Sequence, residues 1–399
     1  MQKIRNPLTF IFITVLIDCI GIRIAYPVAA TIVSEVGHMS VNEAIKYSGW
    51  MMAIYAVMQL FFSPILGGLS DKYGRRPILL LSLLGLGINY LFLANASSLN
   101  MLFAGRIIAG ICGASFTTGF AYVADISPPD KRAQNFGIIG TAFGLGFIIG
   151  PLLGGFFSEF GTRVPFVAAA VLSLLNLLYG FFVLPESLML QDRRSFNLKR
   201  ANPFGAFQQL KNNRNIRFSL FALFFIFLAV QVMPAVWPFY TKYLFHWSDL
   251  EIGYSLAFVG LLVALVKSGL IKWSQRVVLP FRSVYYGLFF YFLGLGLFTF
   301  VNEAWMIYAI MPFYCLGGIA SPSLQGVISS KVTASEQGEL QGIITSIMSL
   351  SNILSPLLMS NLFYFFTKES GLHLPGAPFA FSAFFIVIAY LLCKKQFAS

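Results

Sequence analysis

Twelve apolar stretches, each long enough to cross a bilayer as a helix, fill most of this 399-residue chain. They run at about 8–33, 47–69, 77–95, 99–125, 134–158, 164–184, 216–241, 250–271, 282–301, 304–330, 338–366 and 378–393. A membrane helix needs ~20 mostly apolar residues, because in hydrocarbon every backbone N–H and C=O must be paired internally. The runs are long and continuous and carry internal glycines, whereas the strands of an outer-membrane barrel would alternate at period two. Only 11% of residues are charged, too few for the surface of a soluble protein of this size. The expected fold is an all-α membrane protein of twelve transmembrane helices. The first run is too long for a cleavable signal peptide, carries Asp18 and Arg23, and lacks a small-residue cleavage site. It is expected to stay as the first helix.

A net charge of +12 raises the question of nucleic acid, and its distribution answers it. Of the 27 Lys and Arg, 20 fall on one side of the predicted topology, four on the other, and three inside helices. Such a bias places the basic side and both termini in the cytoplasm. The excess reads as topology and contact with anionic lipid, so no nucleic-acid partner is expected. The cysteines, Cys19, Cys112, Cys315 and Cys393, are scattered through apolar runs with no CxxC pair. Neither a metal site nor a cofactor is expected. His38, His246 and His373 all fall in loops on the outward side, so no histidine is available at membrane depth.

The only long polar stretch, 185–215, opens with Leu184-Pro185-Glu186-Ser187 and turns basic. Read as a linker, it divides the chain into a first six-helix bundle, 1–184, and a second, 216–399. The halves resemble each other at one offset. Asn135-Phe136-Gly137-Ile138-Ile139 recurs as Leu340-Gln341-Gly342-Ile343-Ile344, Pro151-Leu152-Leu153 as Pro356-Leu357-Leu358, and Gly113 as Gly318, each 205 residues on. Repeats of this kind build transporters with a site near the membrane midplane between the halves.

Gly67 to Leu80, Gly-Gly-Leu-Ser-Asp-Lys-Tyr-Gly-Arg-Arg-Pro-Ile-Leu-Leu, reads as a short charged loop between two spans. Arg75 and Arg76 alone could be topology signals. Asp71 is not one, since acids contribute little to orientation. In the fifth span, Gly137, Gly146, Gly150-Pro151, Gly154 and Gly155 place small residues where helix backbones can touch, and Pro151 removes an amide hydrogen. In the fourth, Arg106-x3-Gly110-x3-Ala114 sets an arginine beside a small-residue stripe. A charge at that depth should face protein or water.

Together these segments resemble the major facilitator superfamily: 67–80 its motif A, Arg106 its motif B, and the fifth-span glycines its motif C, associated with antiporters. The likeness covers the whole chain and is strongest to the tetracycline-resistance (Tet) efflux branch. Leu16-Ile17-Asp18-Cys19-Ile20-Gly21-Ile22 with Pro27, Ala121-Tyr122-Val123-Ala124-Asp125-Ile126, and Gln337-Gly338-Glu339-Leu340-Gln341-Gly342 carry it. The resemblance implies a gate. Asp71 would face the positive N-terminal end of the eleventh helix, and Arg75 would pair with Asp125. Gly67, Arg76, Gly146, Gly150 and Pro151 would belong to the same moving parts, a two-state rigid-body element.

The membrane-depth charges are Asp18, Arg23, Arg106 and Lys267. Asp18 and Arg23 point ~140° apart on a regular helix and need not pair. Arg106 and Lys267 are equally plausible partners for Asp18. Here the chain departs from the Tet pattern. The eighth-helix histidine and ninth-helix aspartate of one Tet class fall at Val263 and Tyr291, while its first-helix glycine and an eighth-helix glutamine fall at Arg23 and Lys267. Two titratable groups are lost and two cations gained. With Tyr55, Gln59, Gln231, Trp237, Tyr291, Gln325 and Asn352 completing a pocket, the site would be net positive.

Two readings follow. One is a secondary transporter of a small organic anion, such as a polycarboxylate or carboxylate siderophore, with Asp18 as the proton-coupling group. The other is a proton-coupled drug or tetracycline exporter. Both place the chain in a bacterial inner membrane as a monomer. A membrane enzyme is disfavoured, since no nucleophile–base pair, metal cluster or phosphate loop is present. A non-transporting receptor has no need of a breakable gate.

Overall fold

A computed structural model describes residues 7–113, 115–128, 131–196, 216–270, 280–333, 336–368 and 372–398. Most of the predicted linker (197–215), Ala114 and the predicted end of the eighth span at 271 lie outside the described residues. The described chain is helical, in twelve spans. α1 is Pro7–Ile24 continued by Ala29–Gly37; α2 is Val41–Tyr73; α3 is Arg75–Ala94; α4 is Leu99–Cys112 with Ser115–Ile126. α5 is Arg132–Ser158 and α6 is Val164–Val183. In the second half, α7 is Arg217–Val230 with Val232–Phe245, and α8 is Asp249–Leu265 ending in a π-helical turn, Val266–Leu270. α9 is Pro280–Phe298, α10 is Ala304–Leu316 continued through Ser329, α11 is Gln337–Thr367 and α12 is Ala377–Ala398. Eleven of these are long and apolar enough to span a membrane by themselves. α8 is the twelfth, its 17 α-helical residues extended by the 5 of the π turn.

Two local features differ from the expectations. The segment at 67–80 is not a loop. α2 runs to Tyr73 and α3 starts at Arg75, so the reversal is made at Gly74 alone. Gly74 has φ +107°, a left-handed backbone that only glycine adopts without strain. Second, the first span is broken. Pro27 supplies no amide hydrogen, and the break between Ile24 and Ala29 is held by Tyr26 N donating to Arg23 O at 3.1 Å and Ala29 N to Tyr26 O at 3.2 Å. His38, His246 and His373 lie outside the helices, as expected; all have positive φ, and the first two form the left-handed C-caps of α1 and α7. The backbone geometry of His38 and His246 is that of a helix stop.

Contacts group the chain into two compact units. One holds Met1–His38, Ile54–Asn202 and Ser248–Ala257; the other holds Met39–Ala53, Pro203–Trp247 and Phe258–Ser399. The beginning of α2 thus groups with the second unit, and that of α8 with the first. Shifting 39–53 by the repeat offset of 205 gives 244–258, so both exchanged segments are the same stretch of the repeat.

Within the first unit α1 packs on α5 and α6, and α3 on α6; within the second α7 packs on α11 and α12, and α9 on α12. The repeat holds at the level of single residues. A Cβ at Gly150 would meet Arg23 Cβ at 2.5 Å, so α5 lies backbone-close against α1. At the matching places on α11, Ser351 Oγ donates to Phe224 O at 3.5 Å and Ser355 Oγ to Leu228 O at 2.8 Å. Subtracting 205 from these four positions gives Gly146, Cys19, Gly150 and Arg23. One half uses bare glycine contact where the other uses serine hydroxyls, and both keep the crossing tight.

Candidate functional site

In the first unit, Arg23 sits in the last turn before the break in α1 and faces α5, and Tyr26 lies within the break. The Arg23 guanidinium carbon lies 3.6 Å from the Phe147 ring centroid and 5.4 Å from that of Tyr26, with a hydrogen bond to the Tyr26 hydroxyl. A cation so stacked gains ~0.5–2 kcal/mol, more as water is removed. Asp18, 4% exposed on α1, lies within electrostatic reach of the Tyr90 and Tyr55 hydroxyls. Arg106 of α4 sits among the hydroxyls of Tyr90, Tyr55 and Tyr26 and has no ion pair among the described residues. Gln59 Nε2 donates to Tyr55 Oη at 3.3 Å and to Gly113 O at 3.4 Å. Gly110 lets α4 approach α2, since a Cβ there would lie 2.7 Å from Tyr55 O. Arg23, Tyr26, Tyr55 and Arg106 keep accessible surface rather than being sealed in the core.

Five of the residues singled out from the sequence therefore come together here: Asp18, Arg23, Tyr55, Gln59 and Arg106. Tyr26, Tyr90 and Phe147 join them and were missed. A signal for two of them existed. Adding 205 to Tyr26 and Phe147 gives Gln231 and Asn352, and these two hydrogen-bond each other in the second unit. The same shift carries Asp18, Arg23 and Arg106 onto Leu223, Leu228 and Met311. The repeat is thus charged in one unit and apolar in the other.

The remaining candidates lie in the second unit. Tyr291 packs against Tyr314 with centroids 5.5 Å apart, and Gly317 lies over its ring. Tyr314 Oη donates to Val230 O at 3.3 Å, beside Gln231. Gln325 is part-exposed on α10. Lys267 stands exposed in the π turn of α8, with no ion pair among the described residues. Trp237 is 0% exposed, boxed by Phe298 at 5.5 Å, Tyr240 at 6.2 Å and Phe379 at 6.4 Å. That ring has no face for a ligand. Trp237→Ala is expected to cost ~3–5 kcal/mol by leaving a cavity, read as a fall in the thermal midpoint. Weaker ligand binding with an unchanged midpoint would instead put Trp237 at a site.

A second cluster forms where α2 meets α3. Arg75, 8% exposed, donates from Nη1 to Asp71 Oδ1 at 2.5 Å and to Ser70 Oγ at 2.7 Å, and from Nε to Asp125 Oδ2 at 3.0 Å. The Arg75–Asp125 pair implied by the resemblance is present, and the Asp71 carboxylate sits on the same guanidinium. Arg76 turns the other way, donating from Nη2 to Phe181 O of α6 at 2.5 Å. Gly67 faces Thr117 of α4 across ordinary contact distance. At the other end of the unit, Pro151 and Gly155 of α5 meet the first turns of α8. A Cβ at Gly253 would lie 2.6 Å from Pro151 O, and one at Gly155 would lie 2.8 Å from Leu250 Cα. Thr31 Oγ1 donates to Asp249 Oδ1 nearby at 2.6 Å.

The model of the Major Facilitator Superfamily matches residues 11–356. The chain belongs to the major facilitator superfamily. It is a multi-pass membrane transport protein of that family, not an enzyme, and it is Tet-like. It is 37% identical over 363 residues to the class C tetracycline resistance protein of Escherichia coli, covering 91% of each chain. To the class H protein of Pasteurella multocida it is 35% identical over 365 residues, covering 89% of this chain and 88% of that one. Among solved structures, the human organic anion transporter MFSD10 (TETRAN) superposes with a TM-score of 0.72 at 21% identity, covering 98% of this chain and 100% of that one. At that identity the likeness speaks for the fold alone.

Proposed function

We propose that this chain is a proton-coupled secondary transporter of a small organic solute bearing an anionic group, a polycarboxylate or carboxylate siderophore being the expected class. The observation that carries this reading is the pair Arg23 and Arg106, two guanidinium groups at membrane depth among tyrosine hydroxyls. Cations at that depth are costly and mark substrate or ion pathways. A guanidinium fork matches a carboxylate bidentately, and the tyrosines add neutral donors. Asp18 is the proton carrier in this reading, being the carboxylate that lies deep in a predicted span. The Asp71–Arg75–Asp125 cluster is the latch that makes and breaks as the transporter alternates, and α5 is the sliding contact. Lys267, Gln231, Tyr291, Gln325 and Asn352 are assigned to the solute path. The charge bias supports an inner membrane location with both termini cytoplasmic, and a monomer suffices.

A second reading, proton-coupled tetracycline export, is favoured by the 37% identity to the class C resistance protein. Flux of citrate and of tetracycline into proteoliposomes, with and without an imposed proton gradient, separates the two. Under the anion reading, Arg23→Ala and Arg106→Gln each raise the KM for the anion roughly 10–100-fold, the worth of one charge-assisted hydrogen bond. Asp18→Asn then abolishes the response to the proton gradient. If Arg23→Ala and Lys267→Ala both leave anion flux intact, the cationic site is wrong. Tetracycline flux lost in Asp18→Asn establishes the second reading.

A further inference from the structure

The start of α3 has an unusual cap. A helix leaves its first four N–H groups without internal partners. Here Gly74, at the N-cap position, has no side chain to offer, and Pro77 has no hydrogen to donate. The two amides that precede Pro77 are taken by a residue 110 positions away. Glu186, just past the end of α6, accepts from Arg75 N at 2.8 Å through Oε1 and from Arg76 N at 3.3 Å through Oε2. Its Oε1 also accepts from the amides of Ser187 at 3.0 Å and Leu188 at 3.1 Å. The carboxylate fills the space where a Cβ of Gly74 would stand. Neighbours on the same exit from α6 reach the other half of the latch. Ser187 Oγ donates to Asp125 Oδ2 at 3.0 Å, and Pro185 O accepts from Tyr122 Oη at 2.9 Å. Farther along, Arg194 N donates to Asp71 O at 3.1 Å.

From this geometry we propose that Glu186 is a positioning residue of the Arg75 latch. One carboxylate fixes the backbone of Arg75 while the next residue holds Asp125, so the entrance of the linker sets the distance between the two. The negative charge suits a helix N-terminus, where backbone dipoles concentrate positive potential. Losing Glu186 frees the Arg75 and Arg76 amides together and lets α3 fray away from α4. The latch then weakens without any change to its own charged side chains. A displacement of the linker would act on the gate by the same route.

Hydrogen exchange on the full chain in lipid nanodiscs tests this without knowledge of the cargo. In Glu186→Ala the amides of Arg75, Arg76, Ile78 and Leu79 are expected to exchange about fivefold or more faster, the usual scale for loss of a helix cap. Amides of α5 should keep their rates. Glu186→Gln, which retains an acceptor oxygen, should recover part of the protection, and it serves both measurements if the alanine variant fails to accumulate. The flux arm rests on the transport reading above and uses tetracycline and citrate. Acting through the latch, Glu186→Ala should add less than its single effect in an Asp125→Asn background. Wild-type exchange at 75–79, or losses of flux that simply multiply, would overturn the proposal. Should neither solute move, both cargo readings fall, and the exchange measurement still decides this one.

Discussion

Arg75→Ala is expected to lower flux in proteoliposomes by at least ~10-fold, since it takes away several charge-assisted hydrogen bonds at once. The guanidinium is nearly buried and holds Asp71, Asp125 and the Ser70 hydroxyl together. Without it two carboxylates face each other with no cation between them. Asp71 is about half-exposed, with 45% of its side chain accessible, so water recovers part of the loss. The stability cost should therefore stay near ~1–3 kcal/mol, measured by thermal unfolding in detergent. Arg75→Lys should restore only a fraction of the flux, because one ammonium cannot reach three oxygens with the geometry of a guanidinium fork. Wild-type flux in Arg75→Ala would remove the latch from the mechanism.

The second large effect is steric. Gly150→Leu should block transport and lower the thermal midpoint, because its Cβ alone would lie 2.5 Å from Arg23 Cβ and 3.1 Å from Ile20 O. Those neighbours belong to the α1 main chain or sit directly on it, so nothing can rotate aside, and overpacking of this kind costs ~1–3 kcal/mol or more. The same helix supplies its own control. At Gly137, Gly140 and Gly144 an added Cβ would meet nothing within 4 Å, so Gly140→Leu should keep both flux and midpoint. Equal outcomes for the two substitutions would mean that the close α1–α5 crossing is incidental.

Much of the architecture is legible in the chain. Apolar runs reveal spans because hydrocarbon tolerates little else, and the single offset of 205 residues holds down to Gly150 against Arg23 and Ser355 against Leu228. The candidate site is only half legible. Asp18, Arg23 and Arg106 declare themselves as charges in apolar surroundings. Tyr26, Tyr90 and Phe147 do not, because an aromatic residue in a membrane helix is ordinary until a guanidinium is found on its face. Trp237 shows the converse, a prominent residue wrapped in other rings. Glu186 reads as the start of a linker, and nothing local ties it to Arg75.

Sequence by itself therefore determined the membrane class, the number of spans, the internal repeat and the family, all of which follow from local hydropathy and short motifs. Only the tertiary structure decided that the motif at 67–80 is two helices meeting at Gly74, that Arg23 of α1 stacks on Phe147 of α5, and that a carboxylate from the end of α6 caps α3. These depend on which helix faces touch. A hydrophobic pattern that is apolar all round, as a buried membrane helix must be, carries little record of that choice.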